Sequence, residues 1–275
     1  MLDANGIPSD VLTSQPARHY LTQHRTAVAS KQGRDDEVTE QNAWDALRTL
    51  HRLNLIDHDP DTPHRAVRVH QLIQRATRDT LASTQYEETA RSAADALVTA
   101  HATSLGQSLR ANAQALIGHA EDSLWQPDGH EVLICSGRSL GEAGQAAEAV
   151  AYFQALAQIA CQRLGPDHPD TLIARSGVAR WRGAEGDAAG AATAYAELLA
   201  DRERLLGPDH ADTLITRAIL TRWRGEAGDA AGAATAFEQL LADHLRILGP
   251  DNPDTLTARH NLAHWQSEAG DAVVH

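Results

Sequence analysis

The residues best suited to metal binding or proton transfer in this sequence are its fifteen histidines and two cysteines. His168 and His210 each follow an aspartate in a Gly-Pro-Asp-His turn, but Asn252 takes the corresponding place in a third turn. Because these turns are a whole repeat apart, we interpret the histidines as bonded to local backbone groups rather than to zinc. Cys135 and Cys161 lack the close spacing of metal or redox pairs, and we expect both to be small buried side chains in a reducing compartment.

Motifs for metal-dependent or nucleotide-dependent catalysis are missing from the sequence. It contains no HExxH or CxxC motif and no GxxxxGK[ST] phosphate loop. Without such a loop nothing cradles the phosphates of a nucleotide or holds magnesium. We therefore expect a protein that is not an enzyme, with no cofactor and no metal site.

Four basic residues fall at one equivalent position, 42 residues apart: Arg138, Arg180, Arg222 and His264. Guanidiniums at repeat spacing, each on its own rigid helix, can hold an extended acidic segment through forked hydrogen bonds to carboxylates. The alternative is that these arginines pair internally with neighbouring aspartates or glutamates. Both interpretations stay open, and we take the column as the candidate partner-binding site.

This column belongs to an internal repeat of 42 residues. Three similar strings begin 42 residues apart: LGPDHPDTL, LGPDHADTL and LGPDNPDTL. Glycines and tryptophans recur at the same spacing: Gly144, Gly186, Gly228, Gly270; Trp181, Trp223, Trp265. Pro166 and Pro169 make the first string a turn. Each period therefore predicts a helix A, from about residue 171 to 184 and capped by Asp170, and a helix B from about 188 to 206.

Helix B of each repeat carries a small residue followed by larger apolar residues on the same face. The sets are Ala149, Phe153, Leu156; Ala191, Tyr195, Leu198; and Ala233, Phe237, Leu240. We expect the alanine to let helix A approach closely and the aromatic ring to fill the gap one turn on. We expect the tryptophans to pack between neighbouring repeats rather than to stack on nucleic-acid bases.

The repeat resembles the tetratricopeptide family in its 42-residue form, which occurs in kinesin light chains and in many actinobacterial proteins. Asn261-Leu262-Ala263 and the following Gly270-Asp271 are similar to that family's helix-A and helix-B signature. The resemblance covers residues from about 127 onward and implies a right-handed α-solenoid. It also implies that helix A lines a concave groove, in which the position of Arg138, Arg180, Arg222 and His264 grips a partner's carboxylates.

The N-terminal part predicts a different, smaller unit. Helical spacing from Trp44 to Leu53 is followed by strand-like residues 55–57, a polar loop, strand-like residues 67–69 and a helix from His70 to about residue 83. This order suits a winged helix. The phrase VRVHQLIQRATRD, at residues 67–79, resembles the winged-helix segment of NB-ARC-type signalling NTPases. That resemblance implies a nucleotide-sensing role for His70, whereas the sequence alone favours a structural histidine at the helix start.

Net charge and hydropathy restrict the partners. The formal charge is −13, which argues against a general nucleic-acid binder. Four arginines give the winged unit a local positive excess and keep DNA binding there as a minor alternative: Arg65, Arg68, Arg75, Arg78. No apolar run of the roughly 18 residues needed to cross a membrane is present, and we expect a cytoplasmic protein.

The sequence as a whole predicts an all-α fold with three parts. Residues 1–84 form a winged-helix-like unit, residues 85–126 an atypical helical pair, and residues 127–275 three full repeats and one partial repeat. The predicted function is recognition of a protein or peptide, with acidic character, as the scaffold or sensor part of an NB-ARC-type regulatory system. The alternative is a helical scaffold adapted to bind or transform a small molecule, which would require a closed pocket with convergent polar groups.

Overall fold

The computed structural model describes residues 1–24, 37–101 and 106–274, with side chains up to Gly270. The chain forms two compact units, Met1–Ser139 and Leu140–His275. The division at residues 84 and 126 that the sequence suggests stays a prediction. None of the described helices is long and apolar enough to cross a membrane.

The described residues of the Met1–Ser139 unit contain six complete α-helices, the first part of a seventh, two 3₁₀ helices (Pro63–Arg65 and Asp122–Trp125) and two short strands. In chain order the complete α-helices and the strands are α1 (Ser9–Leu12), α2 (Gln15–Gln23), α3 (Glu40–Arg52), β1 (Asp57–His58), β2 (Val67–Arg68), α4 (Gln71–Thr80), α5 (Ser83–His101) and α6 (Gln107–Ala120). The strands are antiparallel, with Asp57 opposite Arg68 and His58 opposite Val67. The predicted order of helix, strand, strand and helix is present, although each strand is shorter than expected. The winged-helix assignment itself stays a prediction.

A buried asparagine ties the N-terminal segment of this unit to α6. Asn112 is fully buried, and its amide donates to the backbone oxygen of Gly6 at 2.8 Å while its oxygen accepts from the backbone N–H of Asp3 at 3.0 Å. A second polar contact joins α2 to α5, where the hydroxyls of Tyr20 and Thr89 lie 2.7 Å apart. Buried polar groups satisfied in this way fix the register of the packed segments.

Helix α7 (Glu131–Glu142) crosses the boundary between the units, and helices of alternating type follow it. These are α8 (Ala146–Leu164), α9 (Pro169–Ala184), α10 (Ala188–Leu206), α11 (Ala211–Glu226), α12 (Ala230–Ile247) and α13 (Pro253–Val274). The predicted turns at residues 165–169, 207–211 and 249–253 are confirmed. Gly165, Gly207 and Gly249 begin them with φ of 98°, 88° and 84°, a left-handed region that other residues seldom adopt.

The helix-A cap is not the residue that the sequence suggests. His168 is the N-cap of α9, and its Nδ1 accepts from the backbone N–H of Asp170 at 3.2 Å; His210 and Asn252 repeat this arrangement in the next two turns. The prediction of Asp170 as the cap was wrong, because Pro169 already occupies the first helical position, where a missing N–H costs nothing. The interpretation of the turn histidines as bonded to local backbone is confirmed.

The predicted packing columns form the core of the Leu140–His275 unit. The side chains of Ala149, Ala191, Ala233, Phe153, Tyr195 and Phe237 are all buried. The ring of Phe153 lies against the backbone of Gly177 in α9, where there is no side chain to keep it away. The cysteine prediction was wrong, since Cys161 is exposed and Cys135 is half-buried.

The last helix differs from its counterparts. Gly186 and Gly228 take positive φ of 100° and 107° just beyond helices α9 and α11, where the chain reverses into the next helix. Gly270, in the same column, lies inside α13, which runs on to Val274. The glycine column therefore marks the helix ends near Gly186 and Gly228 but not at Gly270.

Candidate functional site

The predicted basic column is built the same way in three successive A helices. The guanidinium of Arg180 lies over the ring of Trp181, 5.2 Å from its centroid, and that of Arg222 lies 4.6 Å from the centroid of Trp223. The ring centroids of His264 and Trp265 are 4.8 Å apart in an edge-on arrangement. All three basic side chains are exposed. Each is therefore held against an aromatic face by a cation–π or aromatic contact rather than left extended.

The tryptophans are in turn fixed against the preceding A helix. A Cβ placed on Gly141, Gly183 or Gly225 would lie within 2.5 Å of a ring atom of Trp181, Trp223 and Trp265, respectively. Glycine at these positions lets the indole ring lie directly on the backbone of the neighbouring helix. The expectation that the tryptophans pack between repeats is confirmed, and this packing sets where each basic residue stands.

Several other arginines of the Leu140–His275 unit form internal ion pairs. Arg175 contacts Asp201 at 2.6 Å, and Arg217 contacts Asp243 at 2.9 Å. Within the described residues, neither Arg180 nor Arg222 has an acidic partner. Internal pairing, the alternative that the sequence left open, is therefore not found for these two guanidiniums.

A groove of about 390 Å³ lies between α11 and α13 and reaches Arg222. Its lining includes Leu214, Ile215, Ala218, Ile219, Arg222 and Asn261. Apolar side chains line most of it. Its polar side chains include Arg222 on α11 and Asp254 and Asn261 on α13, so one carboxylate already lies in the groove beside the guanidinium and the amide. This arrangement can hold an apolar side chain and a carboxylate of one ligand together.

Two arginines of the column, Arg180 and Arg222, affect the pKa of the same tyrosine, Tyr195. Burial raises the pKa of Tyr195, while its hydrogen bond with Ser176 and the positive charges of Arg180, Arg222 and Arg202 partly oppose that rise. The hydroxyl group of Tyr195 donates to the backbone oxygen of Ser176 at 3.2 Å. Arg180 and Arg222 therefore act on the same hydroxyl, and together they give this side of α9 and α11 a positive potential.

Arg138 and His70 are two further predicted site residues. Arg138 is exposed on the part of α7 that belongs to the Met1–Ser139 unit. His70 caps α4, where its Nδ1 accepts from the backbone N–H of Leu72 at 3.2 Å. This contact supplies the structural role that the sequence favoured for His70, and a nucleotide-sensing role stays a prediction.

The alternative of DNA binding loses part of its basis. Arg75 pairs with Asp79 at 3.7 Å, and Arg65 donates to the backbone oxygen of Asn5 at 3.2 Å. Arg78 also donates to the side-chain oxygen of Gln74 at 3.5 Å, so three of the four arginines in the winged-helix-like part are engaged within the chain. A cavity of about 360 Å³ in the same unit is lined by Val11, Val69, Leu81 and other mostly apolar residues, and no carboxylate contributes to it. Its polar lining residues include Gln74, Thr77 and Arg78, and another cavity of the unit is lined by Glu88 and Asp95. The small-molecule alternative therefore stays a prediction.

The sequence analysis missed one pattern and one groove residue. Residues 137–141 read GxSxG, the pattern of a serine-hydrolase nucleophile turn. Ser139 lies inside α7 and is buried, with its Oγ accepting from Arg110 at 3.3 Å, so the strand-to-helix turn that exposes such a nucleophile is missing. The sequence analysis used Asn261 only as part of the family resemblance. Asn261 lies 42 residues after Ile219, which also lines the groove, so the repeat spacing could have assigned it to the groove.

Comparison with known proteins agrees with this architecture. Residues 131–203 match the family model described as tetratricopeptide repeat, and no curated protein matches the chain. The solved structure of BtubC (BKLC) from P. vanneervenii aligns with a TM-score of 0.52 and 17% identity over 68% of this chain and 74% of that one. Nearly identical TPR-like repeats from a kinesin light chain-like protein of Podosopora anserina align with a TM-score of 0.45 and 21% identity over 72% of this chain and 87% of that one. The chain thus contains tetratricopeptide repeats at residues 131–203, and its fold is the predicted all-α, tetratricopeptide-type one.

Proposed function

We propose that this chain is a non-catalytic interaction module that binds an extended segment of a partner protein along the A helices of its Leu140–His275 unit. The observation that carries the proposal is Arg222, which is exposed, stacked on Trp223 and without an acidic partner in the described part of the chain. Tetratricopeptide repeats generally bind proteins or peptides, and the groove beside Arg222 has the dimensions and lining of a side-chain pocket.

The chemistry of the groove defines the segment that fits. An apolar side chain enters between Ile215 and Ala258, and a carboxylate one or two residues away accepts a forked bond from Arg222. Arg180, at the same position on α9, extends the positive potential to a second acidic residue. A positive strip on a molecule of formal charge −13 attracts an acidic segment to this side and not to others.

The wider context follows from the N-terminal part. We place the chain as the scaffold or sensor part of a cytoplasmic NB-ARC-type regulatory system, on the resemblance of residues 67–79 to that family's winged-helix segment. The helix, strand, strand and helix order of α3, β1, β2 and α4 supports it. His70 then senses nucleotide only where another domain supplies the phosphate-binding loop.

The experiment starts from a displayed library of random 12-residue peptides selected on the intact chain. The affinity of a selected synthetic peptide is then measured for the wild type and for the double variant Arg180→Ala, Arg222→Ala. We expect the double variant to bind about tenfold more weakly or worse, because two charge-assisted hydrogen bonds are lost. Lysine at both positions should recover only part of the affinity, since lysine lacks the planar fork.

The matched control is the double variant Arg182→Ala, Arg224→Ala. These exposed arginines are two residues further along the same helices, on the opposite side, and their removal changes the net charge equally. We expect the control to retain its affinity and added salt to weaken wild-type binding. Equal losses in the two double variants, or binding unaffected by either, would refute a groove centred on Arg222.

A further inference from the structure

One position of the B helices differs between α10 and α12, and this difference shapes the groove beside Arg222. In α10 the position holds Arg202, which is half-buried. Its guanidinium donates to the backbone oxygen of Asp212 at 3.1 Å and to the hydroxyl of Thr216 at 2.5 Å, both on α11. The side chain of Arg202 therefore fills the space between α10 and the first half of α11.

The same position of α12, 42 residues on, holds the shorter side chain of His244. Its Nδ1 lies 3.1 Å from the backbone oxygen of Asp254, the equivalent of the Asp212 oxygen, and donates to it because a carbonyl oxygen only accepts. Ala258 stands where the preceding repeat has threonine, so the second acceptor is missing. His244 and Ala258 both line the groove. These two residue changes within the repeat leave room in the groove for a longer side chain.

The change from arginine to histidine also removes the permanent cation beside the aspartate in the first turn of helix A. Burial lowers the pKa of Arg202, and the negative charge of Asp212 opposes that shift, so the two side chains attract each other. Asp254, the equivalent carboxylate, is exposed and lines the groove. In the part of the chain that the structure describes, no basic side chain forms an ion pair with it. The groove therefore presents a carboxylate at the point where the preceding repeat supplies a guanidinium.

A guanidinium at this point is compatible with the basic column. Arg180, Arg202 and Arg222 all oppose the rise in the pKa of Tyr195, so all three positive charges act on the same hydroxyl. The attraction of Asp212 offsets the repulsion that Arg202 meets there. A guanidinium beside Asp254 would gain the same compensation.

The two ends of the groove differ in charge. Asp254 and Asn261 are seven residues apart on α13, which places them on one side of the helix and about 10 Å apart along its axis. Trp265 lies against Gly225, so the C-terminal halves of α11 and α13 are adjacent. Arg222 therefore belongs to the same end of the groove as Asn261, and the carboxylate of Asp254 belongs to the other end.

We propose that the partner segment carries an arginine as well as an acidic residue, in the order acidic-x-apolar-x-Arg or its reverse, and that Asp254 binds this arginine. Alternate side chains of an extended segment point to the same side, and four steps of about 3.3 Å span about 13 Å, close to the length of the groove. The partner's guanidinium then takes the place that Arg202 fills in the preceding repeat. This inference rests on the proposed function, whose contact between Arg222 and a carboxylate it keeps.

The probe is a labelled synthetic peptide chosen from the displayed library of random 12-residue peptides selected on the intact chain. Selected peptides should be enriched in arginine four positions from their acidic residue, with the apolar residue between the two. In fluorescence anisotropy, Asp254→Arg should weaken binding about tenfold or more, because an attractive pair becomes a repulsive one. Changing the peptide's arginine to aspartate should restore binding to that variant and weaken binding to the wild type.

Two further variants serve as a control and as a second test. Asp251→Arg makes the same charge change in the turn before α13, outside the lining of the groove, and should leave the affinity unchanged. His244→Arg combined with Ala258→Thr rebuilds the contacts of Arg202 and should weaken binding, because an internal guanidinium then occupies the place of the partner's. Circular dichroism checks that each variant keeps its helical content.

The outcomes separate this inference from the proposed function. An affinity that falls with Arg222→Ala but not with Asp254→Arg would overturn the inference and leave the proposed function standing, and so would selected peptides without arginine at the expected position. An equal loss with Asp251→Arg, or failure of the charge exchange to restore binding, would overturn the inference as well. An affinity unaffected by either Arg222→Ala or Asp254→Arg would overturn both.

Discussion

Replacing Gly183 with alanine tests directly whether the tryptophan column holds neighbouring repeats together. The added Cβ would lie 2.3 Å from one ring carbon of Trp223 and 2.4 Å from another. Ordinary carbon–carbon contacts are about 3.5–4.0 Å, so the overlap exceeds 1 Å. The ring cannot turn aside freely, because Trp223 is half-buried and carries the guanidinium of Arg222 on its face.

Two opposing effects set the expected change in the free energy of unfolding. Overpacking costs about 1–3 kcal/mol, while alanine in place of glycine inside a helix gains about 1 kcal/mol. We therefore expect a net loss of up to about 2 kcal/mol, which shifts Tm by several degrees in a unit of this size. The whole change in the free energy of unfolding comes from the interface between adjacent repeats, because each repeat contacts only its neighbours.

Urea unfolding followed by circular dichroism measures the change. Gly270→Ala in α13 is the control, because a Cβ there meets nothing within 4 Å, and it should be neutral or stabilising. Adding Trp223→Leu to Gly183→Ala should cost less than the sum of the two single changes, because the smaller side chain relieves the overlap. A Gly183→Ala protein as stable as the Gly270→Ala protein, or strictly additive single changes, would refute the packing argument.

Two further predictions concern histidines at helix starts. His210→Ala should lower the free energy of unfolding, measured in urea, by about 0.5–2 kcal/mol. His210→Asn should be nearly neutral, because the Oδ1 of Asn252 already caps the equivalent helix. Equal losses in the two variants would contradict the capping role. Burial lowers the pKa of His130 from its ordinary 6.5, against the opposing attraction of Asp95. The unfolded chain therefore binds this proton more readily, and stability should fall as the pH drops below 6.5. His130→Asn should reduce the difference in stability between pH 8 and pH 5.5, and an undiminished difference would assign it to other groups.

The sequence alone determined the repeat, its helix pairs and its buried columns. Turn residues and apolar spacing act within a few residues of themselves, so Pro166, Gly165 and the step from Ala191 to Tyr195 and Leu198 fix local structure and the buried face. Tryptophan at repeat spacing also predicted packing between repeats. It did not reveal that the surface receiving each ring is a glycine of the preceding A helix.

Only the tertiary structure decided which charged residues are paired. Arg175 and Arg180 look alike in the sequence, yet the docking of α10 on α9 brings Asp201 to the first and no carboxylate to the second. Those partners are separated by 26 residues, and the forked pairs to the turn aspartates by 37, so no local pattern contains them. A side chain's partners are set by the helix that docks against it, and that contact lies beyond the reach of sequence spacing.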